Sequence, residues 1–135
     1  MRRTSISNTS RVALVTGASA GIGEATARAL LAAGHQVFGT YRKTPERRID
    51  GVQYLQCDVT SDASIAAVVA QVLAASQRID LLVNNAGIGL VAGAEESSVE
   101  QAKALFDVNL FGAIRMAQAV LPAMRRQRSG RIVTT

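Results

Sequence analysis

The sequence predicts an α/β fold, a doubly wound parallel sheet with helices on both faces, and three observations point to it. Short apolar runs alternate with helix-patterned segments along the chain, and such alternation builds parallel strands joined by helices. A glycine-rich turn, Thr16-Gly17-Ala18-Ser19-Ala20-Gly21-Ile22-Gly23, lies where the first strand run meets the first helix. No internal repeat, low-complexity stretch or linker divides the 135 residues, a length that suits one domain. Right-handed crossovers then give the strand order 3-2-1-4-5 of a Rossmann-type sheet.

Each element has its own signal. Val12 to Val15 is a buried-strand run, and Ile22 to Ala33 reads as a helix with small apolar residues at Ala25, Ala29 and Ala33. Gly34 is a natural helix stop. Gln36 to Tyr41 is a second strand, broken by Thr44-Pro45, and Val52 to Cys57 a third. Ser61 or Asp62 is placed to cap the next helix, whose Ile65, Val68, Val69, Val72 and Leu73 form the stripe of a helix lying on a sheet. Leu81 to Val83 is a fourth strand. Ser98 with Gln101 makes a capping box for a long helix reaching about Met124, with Pro122 near its end and Ser129-Gly130 closing it. Arg131 to Thr135 begins a fifth strand.

Composition narrows the function classes. Hydrophobic residues make up 48% of the chain, enough for a real core. The net charge of +5 raises the question of nucleic acid. The basic residues are dispersed among Arg2, Arg3 and Arg11, Arg42 to Arg48, and Arg125 to Arg131, with no recognition helix joining them. A chain with no Trp and 4% aromatics also lacks a base-stacking platform, so no nucleic-acid partner is expected. Residues 1–10 are polar and read as a disordered tail rather than a signal peptide. No run reads as long and apolar enough to span a membrane, and a cytoplasmic protein is expected. The single cysteine, Cys57, reads as a buried, inert thiol. No cluster with metal-ligand spacing occurs.

The glycine turn carries the clearest chemistry. Glycine lets the backbone turn tightly and lets a phosphate approach the main chain, while the helix start offers unpaired N–H groups and a positive dipole end. Its spacing, G-x-x-x-G-x-G, differs from the G-x-G-x-x-G dinucleotide fingerprint. Beyond it, Asp58 is readable as a loop carboxylate or a ligand contact at the sheet's carboxyl edge. Asn84 and Asn85 read by themselves as turn residues. Asn109 falls on one helix side with Leu105, Phe106, Ala113 and Met116, where an amide needs partners. It reads as a structural amide satisfied by backbone, or as an amide near a reaction centre. His35 reads as a helix-end surface residue and Asp80 as structural.

Taken in order, Thr-Gly-x-x-x-Gly-x-Gly, Asp58-Val59, Asn84-Asn85-Ala86-Gly87 and Asn109 in an Asn-Leu-x-Gly context resemble the motifs of the short-chain dehydrogenase/reductase family. The resemblance runs from about Arg11 to Thr135. It implies an oxidoreductase that moves hydride between a nicotinamide cofactor and a small-molecule carbonyl or alcohol. It assigns cofactor binding to Gly17, Ser19, Ala20, Gly21, Ile22 and Gly23, to Asp58 and Val59 near the adenine, and to Asn85, Ala86 and Gly87. It makes Asn109 a catalytic asparagine that holds a water of the proton relay. Tyr41 stands where an NAD-preferring fold places a carboxylate, and Arg42 and Lys43 follow it. NADP(H) is therefore expected over NAD(H), although Ala20 stands where some family members carry a basic residue. The family's serine, tyrosine and lysine have no counterpart in the sequence. The chain is thus expected to be the incomplete N-terminal part of such a domain (residues 11–135), inactive alone and homo-oligomeric when full length. A naturally short, non-catalytic nucleotide-binding or interaction module is the alternative.

Overall fold

The computed structural model describes residues 10–45 and 48–135; the tail expected over residues 1–10 lies outside them apart from Ser10. Five strands form one parallel sheet in the order β3-β2-β1-β4-β5, as the crossover rule requires. They are β1 (Val12–Val15), β2 (Gln36–Tyr41), β3 (Gln53–Gln56), β4 (Leu81–Asn84) and β5 (Arg131–Thr134). The registers place Leu14 opposite Phe38 and Leu82, and Asn84 opposite Thr134. β3 is two residues shorter than the run Val52 to Cys57, and those two residues are buried just beyond its ends.

Two cores lie on the two faces of this sheet. On one, Val12, Leu14, Phe38 and Leu82 meet α2 (Asp62–Ser76) through Ile65, Val68, Val69 and Val72, and meet α4 (Gly112–Gln127) through Met116, Val120 and Met124. On the other, Val15, Val37 and Val83 meet α1 (Gly21–Ala32) through Ala27, with Leu30 and Leu31 packed alongside. Neighbouring residues of β1 thus face opposite cores, as period-2 strands require. Full burial of such side chains stabilises by roughly 1.5–3 kcal/mol each. Ala25 and Ala29 of α1 face outward, as does Ala33 at its carboxyl end; Gly23 and Ala27 make its inner face. Small side chains are ambiguous in this respect, since alanine suits solvent and close packing alike.

Ser61 is the residue that caps α2, accepting from Ser64 N at 3.2 Å. The expected capping box is present: Ser98 Oγ accepts from Gln101 N, and Gln101 Oε1 accepts from Ser98 N. The helix it opens is not a uniform α-helix. α3 (Val99–Phe106) passes through one π-turn, Asp107–Phe111, into α4 without a break. Pro122 sits inside α4 without ending it, and the helix closes at Arg128 with φ +55° rather than at Ser129-Gly130. Gln127 docks that end, accepting from Ile79 N at 2.9 Å and donating to Ile79 O at 2.8 Å.

The membrane expectation needs correction. Within the continuous helix Val99–Gln127 an 18-residue stretch has a mean hydropathy of 1.3 and is 17% buried, so by length and composition alone this helix is long and apolar enough to cross a membrane. Its apolarity is partly that of a packing helix, since Met116, Val120 and Ala123 are fully or almost fully buried on the sheet. On this helix Met116 and Val120 turn inward, and Val99, Phe106, Leu110, Phe111, Ile114 and Leu121 are the exposed large apolar residues.

Asp80 organises the amino edge of the sheet. Its carboxylate accepts from Val12 N at 2.8 Å and from Arg78 at 2.7 and 2.6 Å, and its carbonyl accepts from Arg131 N at 2.9 Å. Burial opposes its charge, but the bonds from Arg78 and Val12 outweigh burial and hold the carboxyl below its ordinary range. A depressed folded-state value stabilises the fold above the unfolded pKa, about 3.9, and the contribution is lost as pH falls through the folded value. Asp80→Ala should therefore cost about 1–3 kcal/mol at neutral pH. In urea melts the gap from wild type should be full at pH 7 and should close as the pH falls below 4.

Candidate nucleotide cleft

A cleft of about 300 Å³ opens at the carboxyl edge of the sheet, between the ends of β1, β2, β3 and β4. Its floor is the turn after β1. Gly17 has φ +66°, and a Cβ there would lie 2.9 Å from Ala86 Cα. Glycine is thus required on two counts, the left-handed backbone and the close approach to the end of β4. A Cβ on Gly23 would collide with Gly17 O. Thr16 Oγ1 joins the turn to β4 by accepting from Asn85 N at 3.0 Å and Ala86 N at 2.9 Å, while donating to Val83 O at 3.4 Å. On the β2 side, Gly17 N donates to Thr40 Oγ1 at 3.2 Å and Ala18 N to Thr40 O at 2.8 Å.

α1 starts directly from this floor. The residue at its cap, Ala20, has no side-chain oxygen and makes no capping bond. The N–H groups of the first turn are left for another acceptor, beside a cleft lined by Ser19 and Ala20. A phosphate fits that requirement by charge and by hydrogen bonding. The backbone walls supplied by Gly17 and Ala86 leave room for its approach.

The side walls come from three loops. Arg42 stands at the end of β2 and Asp58 and Val59 beyond β3. Asp58 Oδ1 accepts from Thr60 N at 2.9 Å and Thr60 Oγ1 at 2.7 Å, and these bonds, side chain first, hold its carboxyl below the ordinary range, with Arg42 a smaller contributor. The bonds to Thr60 make Asp58 a loop-ordering carboxylate, and it stands on the cleft wall. Burial pushes the Cys57 thiol up, against a lowering hydrogen bond from Ser64, so it is an inert wall residue.

The Asn84–Gly87 stretch forms the third wall. Asn84 is buried and donates to Ala113 O at 3.1 Å, tying β4 to α4. Asn85 donates to Gly17 O at 3.1 Å and accepts from Thr135 Oγ1 at 3.1 Å. Asn109 is exposed, not set within an apolar face, because the π-turn rotates it to the cleft rim. Its Oδ1 accepts from Ile88 N and its Nδ2 donates to Ile88 O, both at 2.8 Å. The backbone-satisfied amide is what the hydrogen bonds display.

Nine of the sequence-chosen residues line the cleft: Gly17, Ser19, Ala20, Arg42, Asp58, Val59, Asn85, Ala86 and Gly87. Five do not. Gly21 borders an outer groove, Ile22 is 67% exposed, and Gly23 is buried beneath the turn. Lys43 is exposed outside the cleft wall, and Tyr41 pairs with Tyr54 under the Arg48 guanidinium. Thr16, Thr40, Ile88 and Val108 are contributors that sequence reasoning passed over. Thr16 and Thr40 had a legible signal, as hydroxyl residues at the carboxyl ends of buried strands. Among the described residues, no three His, Cys, Asp or Glu side chains are grouped to share a metal.

A five-stranded parallel sheet with this glycine turn at its carboxyl edge defines a Rossmann-type α/β protein with an anion-receptive cleft. The family model for short chain dehydrogenase matches residues 11–135, and the chain belongs to that family. It is 41% identical over 123 residues to a 3-ketodihydrosphingosine reductase of Bacteroides thetaiotaomicron, covering 91% of this chain and 45% of that protein. It is 36% identical over 129 residues to an NADP-dependent 3-hydroxy acid dehydrogenase of Shigella flexneri, covering 90% and 52%. A short-chain dehydrogenase structure from Streptomyces avermitilis superimposes with a TM-score of 0.86 at 41% identity, covering 96% of this chain and 50% of that one. The chain thus spans about half the length of the curated relatives it matches.

Thr16→Val should leave the N–H groups of Asn85 and Ala86 without their acceptor, at a cost of about 1–3 kcal/mol. Thr16→Ser keeps the oxygen and should recover most of it. Urea midpoints of the three proteins check this, and equal losses for valine and serine would contradict the role of the hydroxyl.

Proposed function

We propose that this chain is the nucleotide-binding half of an NADP(H)-dependent oxidoreductase acting on the carbonyl or alcohol of a small molecule. The observation that carries the reading is Arg42 on the wall of the same cleft that begins at the glycine turn. An uncharged Tyr41 precedes it, so no carboxylate stands at the end of β2 to repel a 2′-phosphate. Arginine offers that phosphate a planar fork of donors. The NADP dependence in the name of the Shigella relative is in keeping with this.

In this reading the first turn of α1 takes the pyrophosphate, and Arg42, with Lys43 as a second nearby charge, takes the 2′-phosphate. Asp58 and Val59 border the adenine, and Asn85 to Gly87 run beside its ribose. A bound nicotinamide would supply the hydride acceptor or donor. Asn109 keeps one amide hydrogen and one lone pair beyond its two bonds to Ile88, enough to hold a water at the rim. Neither Tyr41 nor Tyr54 has a lysine four residues on, so the general acid of the reaction is assigned to the half of the enzyme that this chain does not span. The exposed face of Phe106, Leu110, Phe111, Ile114 and Leu121 supports a homo-oligomer of the complete protein. The single unpaired cysteine suits a reducing, cytoplasmic setting.

Titration with NADP+ and NAD+ tests the cofactor assignment. The phosphorylated form should bind at least about tenfold more tightly, the scale of one charge-assisted hydrogen bond. Arg42→Asp should weaken NADP+ selectively and leave NAD+ nearly unchanged. Equal affinity of the unaltered chain for the two nucleotides would overturn the assignment.

A further inference from the structure

Arg115 has no part in the roles above, yet its guanidinium is tied to two walls of the cleft at once. One terminal nitrogen donates to Val59 O at 3.1 Å and to Asp107 O at 3.2 Å; the other donates to Asp107 Oδ1 at 2.6 Å. The first acceptor lies in the β3–α2 loop beside Asp58. The other two belong to the first residue of the π-turn. Asp107 O also accepts from Gly112 N, the five-residue bond that makes the turn wide. Gly112 lies flat on the same loop, where a Cβ would sit 2.7 Å from Val59 Cγ2. On the opposite side of the turn, Asn109 grips Ile88 by both main-chain groups.

A π-turn is a local departure from the better α-helical ladder and persists only where its surroundings hold it. Loss of its one extra residue would rotate Asn109 by about 100° around the helix axis, away from Ile88. We propose that Arg115 is a positioning residue of the cleft: it sets the π-turn against the Asp58–Val59 loop and so fixes where Asn109 holds Ile88. The arrangement needs arginine. Three acceptors on two elements lie around one planar fork, and an ammonium offers a single point of charge. The contact of Arg115 with Asp62, at 3.6 Å and to a carboxylate 90% exposed, adds little. Only the consequence for ligand binding rests on the nucleotide reading of the cleft; the mechanical claim stands apart from it.

Amide hydrogen exchange read by NMR tests the mechanical claim, and titration with adenosine 2′,5′-bisphosphate tests its consequence. In Arg115→Met the Ile88 amide should exchange at least about tenfold faster, as expected for losing a local charge-assisted anchor. The sheet amides of Leu14 and Phe38 should keep their protection, and the bisphosphate should bind several-fold more weakly. Arg115→Lys should fall between wild type and methionine on both readouts. Asp107→Asn, which keeps the Val59 bond, should loosen Ile88 while leaving nucleotide affinity near wild type. If Arg115→Met does not fold, the lysine and Asp107→Asn proteins carry the comparison. Unchanged Ile88 exchange, or exchange that rises only in step with Leu14 and Phe38, would overturn the proposal. Failure of the wild-type chain to bind the bisphosphate would count against the nucleotide reading, while Ile88 exchange would still decide the role of Arg115.

Discussion

Thr16 Oγ1 receives the two main-chain N–H groups that follow β4, and this places the end of β4 directly against the glycine turn. Everything at the carboxyl edge depends on that approach. It requires Gly17, since the backbone there faces Ala86 Cα with no space for a methyl group. It leads the chain into α1 without a capping side chain, because Ala20 and not a serine or aspartate stands at the helix start. A capping side chain would accept from one of the first-turn N–H groups, which have no partner inside the helix. Here they are left beside the cleft, and an anion is the complement they lack.

The two other walls are held by a different device. Gly112 and Arg115 bring the long helix onto the β3–α2 loop, and Asn109 brings it onto Ile88. The π-turn between them is the one place where the helix departs from α geometry among its 29 residues. A straight helix has one face to offer in any turn. The widened turn lets Gly112 meet Val59 while Asn109, three residues earlier, reaches the opposite loop. The asparagine that the family resemblance marks as catalytic is, in this chain, also a bracket for the wall of the cleft. The two roles are compatible, because the amide has more hydrogen-bonding capacity than Ile88 uses.

Strand order, strand positions and the glycine cleft were legible in the sequence because each has a compositional mark. Val12 to Val15 is apolar at four successive positions and is buried at all four, as a central parallel strand must be. The face of α1 was not legible, since alanine carries no preference strong enough to orient a helix. The π-turn was invisible, because shifting one hydrogen bond from four to five residues changes no residue type. Its absence from the sequence reading is also why Asn109 was placed among apolar neighbours: i, i+3 and i+4 spacing assumes the ladder that the turn interrupts. Arg115 was missed for a related reason. Its partners are main-chain oxygens as much as carboxylates, and backbone acceptors leave no trace in a charge pattern.

The long helix shows why composition alone misjudged the membrane question. Its Met116 and Val120 are apolar to pack on the sheet, and Phe106, Leu110, Phe111 and Ile114 are apolar on sides that the sheet does not reach. A helix apolar on two faces has a higher mean hydropathy than one apolar on a single face. The interruptions are polar and specific: Asn109 serves Ile88, and Arg115 serves Asp107 and Val59. Those polar groups already have protein partners in the folded chain, and withdrawing them into hydrocarbon would strand them. The inward face is therefore accounted for by the sheet. The outward face keeps apolar residues that no described part of this chain covers.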